Sequence, residues 1–206
     1  MGLKKRFDVK ELINSFGLIL ILSFLIAGAY SLYENKNYEN KILKLESMNI
    51  EPEKKKFIKD IELESIKTYK EYGVLPSITI AQAILESGWG QSKLTQTSNN
   101  LFGIKADKRW DGKKVSMITS ENYCDEIVDD FRKYDSLSES IKDHGKFLKE
   151  NSRYAKHGFF KAKDYKGQAQ ALEDAGYSTK KNEKGEAIYA DMLVELIEKY
   201  KLNLID

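Results

Sequence analysis

The chain has 206 residues, with 34 basic against 32 acidic side chains, two histidines and one cysteine. Setting aside the first 33 residues removes four basic and two acidic groups and leaves the rest at zero net charge, which excludes nucleic-acid binding driven by a basic surplus. The lone Cys124 excludes a disulfide framework and a cysteine-based zinc site. His144 and His157 lack the spacing of a helical metal pair, so no metal or cofactor is expected.

The first element is set apart by composition. Residues 12–33 contain no Asp, Glu, Lys, Arg or His, and about 20 such residues cross a hydrocarbon core. Lys4, Lys5, Arg6 and Lys10 precede the run, which keeps residues 1–11 cytoplasmic and places residues 34–206 outside. Ala27-Gly28-Ala29 has the small-x-small form of a signal cleavage site, the alternative being secretion after cleavage. The apolar run continues past that site through Tyr30, Leu32 and Tyr33, which favours an uncleaved single-pass anchor. A polar stalk comes next at 34–51, with Ile42, Leu45 and Met48 three apart.

Residues 52–206 then read as one domain. Pro52 opens a helix at a position where its missing N–H costs nothing, and Gly73 closes it. Phe57, Ile58, Ile61, Ile66 and Tyr69 form its apolar face. The next helix, ITIAQAILES, is apolar on nearly all sides and so is buried; Gly88 and Gly90 end it. A short helical turn and a loop are expected over 91–106. Asp111-Gly112 is a turn signal, and alternating Val115, Met117 and Thr119 predict a strand paired with residues around 126–134. Ser136 and Glu139 form a capping box for a helix burying Ile141, Phe147 and Leu148. Asp164 caps another helix, stopped by Gly176, and a last one carries Ile188, Met192, Leu193, Leu196, Ile197 and Tyr200. The fold class is mostly α, an α+β helical domain with a small β-hairpin lobe.

Chemistry concentrates at Glu86, a carboxylate at the C-terminal end of the most apolar helix. Burial and the negative end of the helix dipole both raise a carboxyl pKa. An acid held protonated near neutral pH can deliver a proton to a glycosidic leaving oxygen. From position alone, this reading and a structural ion pair stand level. Trp89 reads as core, His144 and His157 as surface or capping residues, and Tyr123 and Tyr134 as packing. Glu121 ends the expected strand among Asp125 and Glu126, and by itself reads as a solvated carboxylate.

Five motifs in order change that balance. GVLPSITIAQAILESGWGQSKL, NNLFGIKA, W-x-G-x-x-V-x-M-x-T-x-E, FRKYDSLSESIKDHGKFL and AGYST cover about 53–204. Together they resemble the family 73 glycoside hydrolases, flagellar-muramidase-like endo-β-N-acetylglucosaminidases that cut bacterial peptidoglycan. The AILESGWG piece also resembles lytic transglycosylases, but the NNLFG and AGYST segments separate the two groups. The resemblance implies a lysozyme-like fold with Glu86 as the general acid and Glu121 as a second acidic residue on the β-lobe. It implies Tyr177 lining the cleft, and Asn100 and Phe102 at the cleft floor. Here residues 180–188 form a longer, charged stretch than the family pattern has, so the resemblance carries over Tyr177 but not Tyr189.

The expected function is therefore a membrane-anchored peptidoglycan hydrolase cutting the β-1,4 bond between N-acetylglucosamine and N-acetylmuramic acid. The alternatives are a lytic transglycosylase or muramidase, and a non-catalytic peptidoglycan-binding scaffold on the same fold. The partners are glycan strands and the membrane, not nucleic acid; nothing in the sequence fixes an oligomeric state. Glu86 on a helix and Glu121 on a hairpin are expected to lie beyond the range of a double displacement. Glu121 is then a base for water, or the substrate's N-acetyl group takes its place.

Overall fold

The structure is a computed structural model that describes residues 9–46, 50–121 and 125–206, with the side chains of 9–16, 34, 35, 38, 41–46, 119–121 and 125–127 outside the description. The chain divides into two compact units, Met1–Leu43 and Lys44–Asp206.

The first unit is built on α1 (Val9–Glu46), one continuous 38-residue helix. The apolar run and most of the expected stalk thus belong to a single helix. Its described side chains from Leu18 to Tyr33 are exposed, Phe24 at 76% and Leu32 at 72%. Among the described residues no helix is long and apolar enough to cross a membrane; those side chains begin only at Gly17.

In the second unit α2 (Pro52–Tyr72) begins and ends where its punctuation demands. Pro52 sits in the first turn, and Gly73 takes the left-handed conformation at φ 78°, its N–H closing on the Tyr69 carbonyl. The central helix is α3 (Pro76–Ser87). Ile78, Ile80, Ala81, Ala83 and Ile84 are all essentially inaccessible to solvent, because neighbours cover every side. The cover comes from α2, from α7 (Tyr165–Asp174), from α8 (Tyr189–Lys199) and from a C-terminal 3-10 turn, Leu202–Ile205. Two polar clips fix α3 at its start. Gln168 of α7 accepts from Leu75 N–H at 2.9 Å and donates to the Gly73 carbonyl at 2.9 Å. Asp206 accepts from Ser77 N–H and hydroxyl at 2.8 and 2.6 Å.

Between α3 and the rest stand α4 (Lys93–Ser98) and the β-lobe. Strands β1 (Lys114–Glu121) and β2 (Asp125–Arg132) form a two-stranded antiparallel sheet, with Val115 opposite Phe131 and Glu121 opposite Asp125. Cys124 and Tyr123 lie outside the described residues. Helix α5 (Leu137–Glu150) packs on α2. Its cap is a variant of the expected box: Ser136 accepts from Glu139 N–H at 3.2 Å, but Glu139 reaches back to Asp135 N–H at 2.9 Å. Gly145 makes the α2–α5 approach possible, since a Cβ there would come within 2.5 Å of Thr68. The short α6 (Ser152–Lys156) and a 3-10 turn, Phe159–Lys161, were not expected from the sequence; they are too short to show a period.

Candidate active site

The end of α3 is locked so that Glu86 points where it does. Gly88 is left-handed at φ 57°, and Trp89 N–H closes on the Ile84 carbonyl at 3.2 Å. Ser87 accepts from Gly90 N–H at 2.7 Å, and Gly90 lies so close to the Phe57 ring that a Cβ would come within 2.9 Å of it. Trp89 itself holds a positive φ of 62°, which a bulky residue adopts only when its surroundings compel it. Its half-buried ring meets Phe57 and Tyr200 edge-on at 5.9 and 5.0 Å, which fits the reading of Trp89 as core.

Glu86 is exposed in fractional area, yet protein atoms crowd its carboxyl. A substrate can therefore reach the group, although protein atoms displace much of the bulk water around it. Desolvation is the largest influence and raises the carboxyl above its ordinary range. Two weaker influences oppose it, the hydrogen bond from Tyr189 and the charge of Lys180. Tyr189 donates to Glu86 Oε1 at 2.7 Å, and Gln82, one helical turn before Glu86, donates to the Tyr189 hydroxyl at 3.1 Å. Gln82 Oε1 is buried and has no partner. The carboxyl is thus oriented by a chain of groups and not by an ion pair; no salt bridge to it exists among the described residues.

Tyr177 stacks on Tyr189, ring centroids 5.4 Å apart and planes 21° apart. Behind it comes a second stack, Phe102 on His144 at 3.8 Å and 9°, with Tyr177 edge-on to His144 at 6.3 Å. Aromatic rings therefore link three of the named positions, Glu86, Tyr177 and Phe102. The expectation for His144 is corrected here: it is fully buried, neither ring nitrogen has a hydrogen-bond partner, and burial pushes its pKa down to about 3. The signal lay in the spacing of Ile141, His144 and Leu148, one face of α5. His157 is exposed, its Nδ1 2.7 Å from the Arg153 carbonyl oxygen.

Asn100 stands apart from this row. It is buried, and its amide donates to the Ile104 and Arg132 carbonyls at 3.0 and 2.9 Å while accepting from Ile104 N–H at 3.1 Å. The two bonds to Ile104 close the 100–104 loop, and the one to Arg132 ties it to the base of β2. Glu121 is the last residue of β1, but its side chain lies outside the described residues, as does its separation from Glu86.

The position of Tyr189, left open by the long 180–188 segment, is settled by how that segment closes. Lys181 and Ala187 form an antiparallel bridge. Asn182 folds the turn between them, its carbonyl accepting from Gly185 N–H at 2.9 Å and its side chain from Lys184 and Glu186 N–H at 3.0 and 2.9 Å. The extra residues loop out and return, so Tyr189 still meets Tyr177.

Comparison with known proteins agrees with this architecture. The family model described as glucosaminidase, mannosyl-glycoprotein endo-beta-N-acetylglucosaminidase, matches residues 64–202. The exo-glucosaminidase LytG of Bacillus subtilis is 35% identical over 196 residues, 92% of this chain and 67% of LytG. The peptidoglycan hydrolase FlgJ of Vibrio parahaemolyticus is 34% identical over 149 residues, 69% of this chain but only 46% of FlgJ. Among solved structures, the catalytic domain of the Listeria monocytogenes autolysin Auto superposes with a TM-score of 0.65 at 33% identity, covering 82% of this chain and 97% of that domain. The glycoside hydrolase domain of Salmonella typhimurium FlgJ gives 0.59 at 33% identity, covering 72% and 88%. The chain belongs to the glucosaminidase family, family 73 of the glycoside hydrolases.

Proposed function

We propose that the chain hydrolyses the β-1,4 bond between N-acetylglucosamine and N-acetylmuramic acid within peptidoglycan strands, with Glu86 as the general acid. The observation that carries this reading is the setting of Glu86: an accessible carboxyl, raised by desolvation and oriented by Tyr189. Tyr177 lines the cleft wall, Phe102 supports its floor through His144, and Asn100 acts through the loop it holds. Glu121, on the β-lobe, is the base for the attacking water. The first unit anchors the enzyme in the membrane with the catalytic domain on the outer side, a reading supported by the uncharged stretch 12–33 behind a basic tail.

Digestion of cell wall and analysis of the new ends tests the bond assignment. Reducing-end N-acetylglucosamine is expected; reducing-end or anhydro muramic acid overturns it. Glu86→Gln keeps the shape and removes the transferable proton, so activity falls by about 10²–10⁴-fold with the fold intact. Near-wild-type turnover in that variant removes Glu86 from the role.

A further inference from the structure

The segment that departs from the family pattern is also the one whose root lies beside Glu86. The chain leaves Tyr177, closes its hairpin through Lys181 and Ala187, and returns at Tyr189. Tyr177 and Tyr189 are stacked on each other, and Tyr189 is bonded to the Glu86 carboxyl. The two ends of the hairpin are thus fixed beside the Glu86 carboxyl. Lys180 comes three residues after Tyr177, a chain reach of about 10 Å.

The hairpin is charged unevenly. Lys180, Lys181 and Lys184 are exposed, and none of their ammonium groups has an ion-pair or hydrogen-bond partner among the described residues. Of the two acids, Glu186 is engaged by Asn182 Nδ2 at 2.7 Å, whereas Glu183 is exposed at the turn. Some lysines elsewhere are neutralised, Lys113 by Asp135, Lys114 by Asp130 and Lys166 by Glu198, but what sets the hairpin's lysines apart is their closeness to Glu86. Lysines left unpaired beside the proposed catalytic acid carry charge that an arriving ligand can use. An ammonium can donate to a neutral sugar hydroxyl, but it bonds a carboxylate about twice as strongly, so an unpaired lysine here favours an anionic ligand.

We infer that Lys180, at the base of this hairpin, is a specificity-determining residue that pairs with a carboxylate of the muramoyl side chain and so favours anionic glycan over neutral N-acetylglucosamine polymer. The inference rests on the reading of Glu86 as the catalytic acid and of peptidoglycan as the substrate, and it names which part of that substrate is read. Two carboxylate sources exist. In strands that carry peptides the lactyl carboxyl is an amide, and the charge lies on the peptide; in strands stripped of peptides it lies on the lactyl group itself. That Lys180 is the positive charge felt by Glu86 agrees with a place within electrostatic reach of the reacting bond.

The test uses the full-length chain in detergent micelles and three substrates: peptide-bearing glycan, amidase-stripped glycan and neutral chito-oligosaccharide. Lys180→Ala is expected to raise KM about three- to tenfold on one or both anionic strands, the gain a single charge-assisted contact supplies, with kcat little changed. On the neutral oligomer KM is expected to be the same for both proteins when they are compared on the pH plateau, where losing the Lys180 charge does not change the protonation of Glu86. Lys180→Arg is expected to keep the anionic preference. Which strand responds identifies the carboxylate. Equal losses on neutral and anionic substrates, or no loss on either, overturn the inference. The same preference is read without turnover by sedimenting Glu86→Gln and Glu86→Gln/Lys180→Ala with the two anionic strands. A chain that binds them through Lys180 but never cleaves keeps the inference and overturns the enzymatic reading. A chain that cleaves with no dependence on Lys180 does the reverse.

Discussion

As the proposed general acid, Glu86 has to hold a proton near neutral pH while two neighbours favour its charged form. Desolvation raises its pKa; the Tyr189 hydroxyl, donating at 2.7 Å, and the Lys180 charge lower it. The hydrogen bond therefore serves orientation, at some cost in the carboxyl's hold on its proton. Tyr189→Phe separates the two effects. Losing the donor removes a stabiliser of the carboxylate, so the Glu86 pKa rises and the acid form persists to higher pH. The basic limb of the kcat/KM profile is expected to move upward while the plateau falls, because Glu86 swings more freely and Gln82 loses its acceptor. A basic limb that stays in place or moves down contradicts the assignment. At this scale the sequence was legible where a residue broke its local pattern, as Glu86 does at the end of an apolar helix. It was not legible where the pattern hid a polar residue: His144 fits the buried face of α5, but its imidazole beside Asp143 and Lys142 reads as surface.

Elements were readable from their punctuation. Pro52 marks a first turn, Gly73 and Gly88 take left-handed caps, and Asp164 accepts from Gly167 N–H at 2.9 Å to start α7, whereas α3 begins at Pro76, two residues before the expected ITIAQAILES. What punctuation cannot supply is the pairing of elements. The motif marks Asn100 as a cleft-floor residue but does not reveal that it also closes its own loop on Ile104 and joins that loop to β2 at Arg132. The closure of 180–188 likewise depends on Asn182, which length alone does not reveal. The α5 helix carries a prediction of its own. His144 is buried neutral, with a pKa pushed to about 3, while the unfolded chain takes up a proton near 6.5. Between those values the unfolded state binds the extra proton, so His144 makes stability fall as pH drops through that window and contributes nothing above it. The slope for one proton is about 1.4 kcal/mol per pH unit. Denaturant titrations at several pH values read it, and His144→Gln is expected to flatten the acid limb by that single proton. An unchanged limb in the variant means that His144 is not the group responsible.

Across the whole molecule the proposed anchor and the two lobes each set an expectation. If residues 12–33 remain in the membrane, protease added to intact wall-less cells digests the domain and spares a short N-terminal fragment; a soluble product beginning at Tyr30 shows cleavage after Ala29 instead. The lobes decide how the bond is broken. Glu86 closes a core helix held by α2, α7 and α8, whereas Glu121 closes a two-stranded hairpin whose base is tied down through Asn100. Carboxyls on separate supports are suited to the about 6.5–9.5 Å separation that admits a water, and not to the about 5–5.5 Å that a covalent sugar ester requires. With Glu121 as base, water attacks from the face opposite the leaving group and the anomeric configuration inverts. If the substrate's N-acetyl group attacks first, configuration is retained, and Tyr177, stacked on Tyr189, is the residue proposed to orient that group. Proton NMR of the first-released product distinguishes the routes before the anomers equilibrate. The α anomer is expected, together with a Glu121→Gln loss smaller than that of Glu86→Gln. A β product excludes direct water attack, and a trapped sugar ester on Glu121 overturns both routes by placing the two carboxyls closer than their supports suggest.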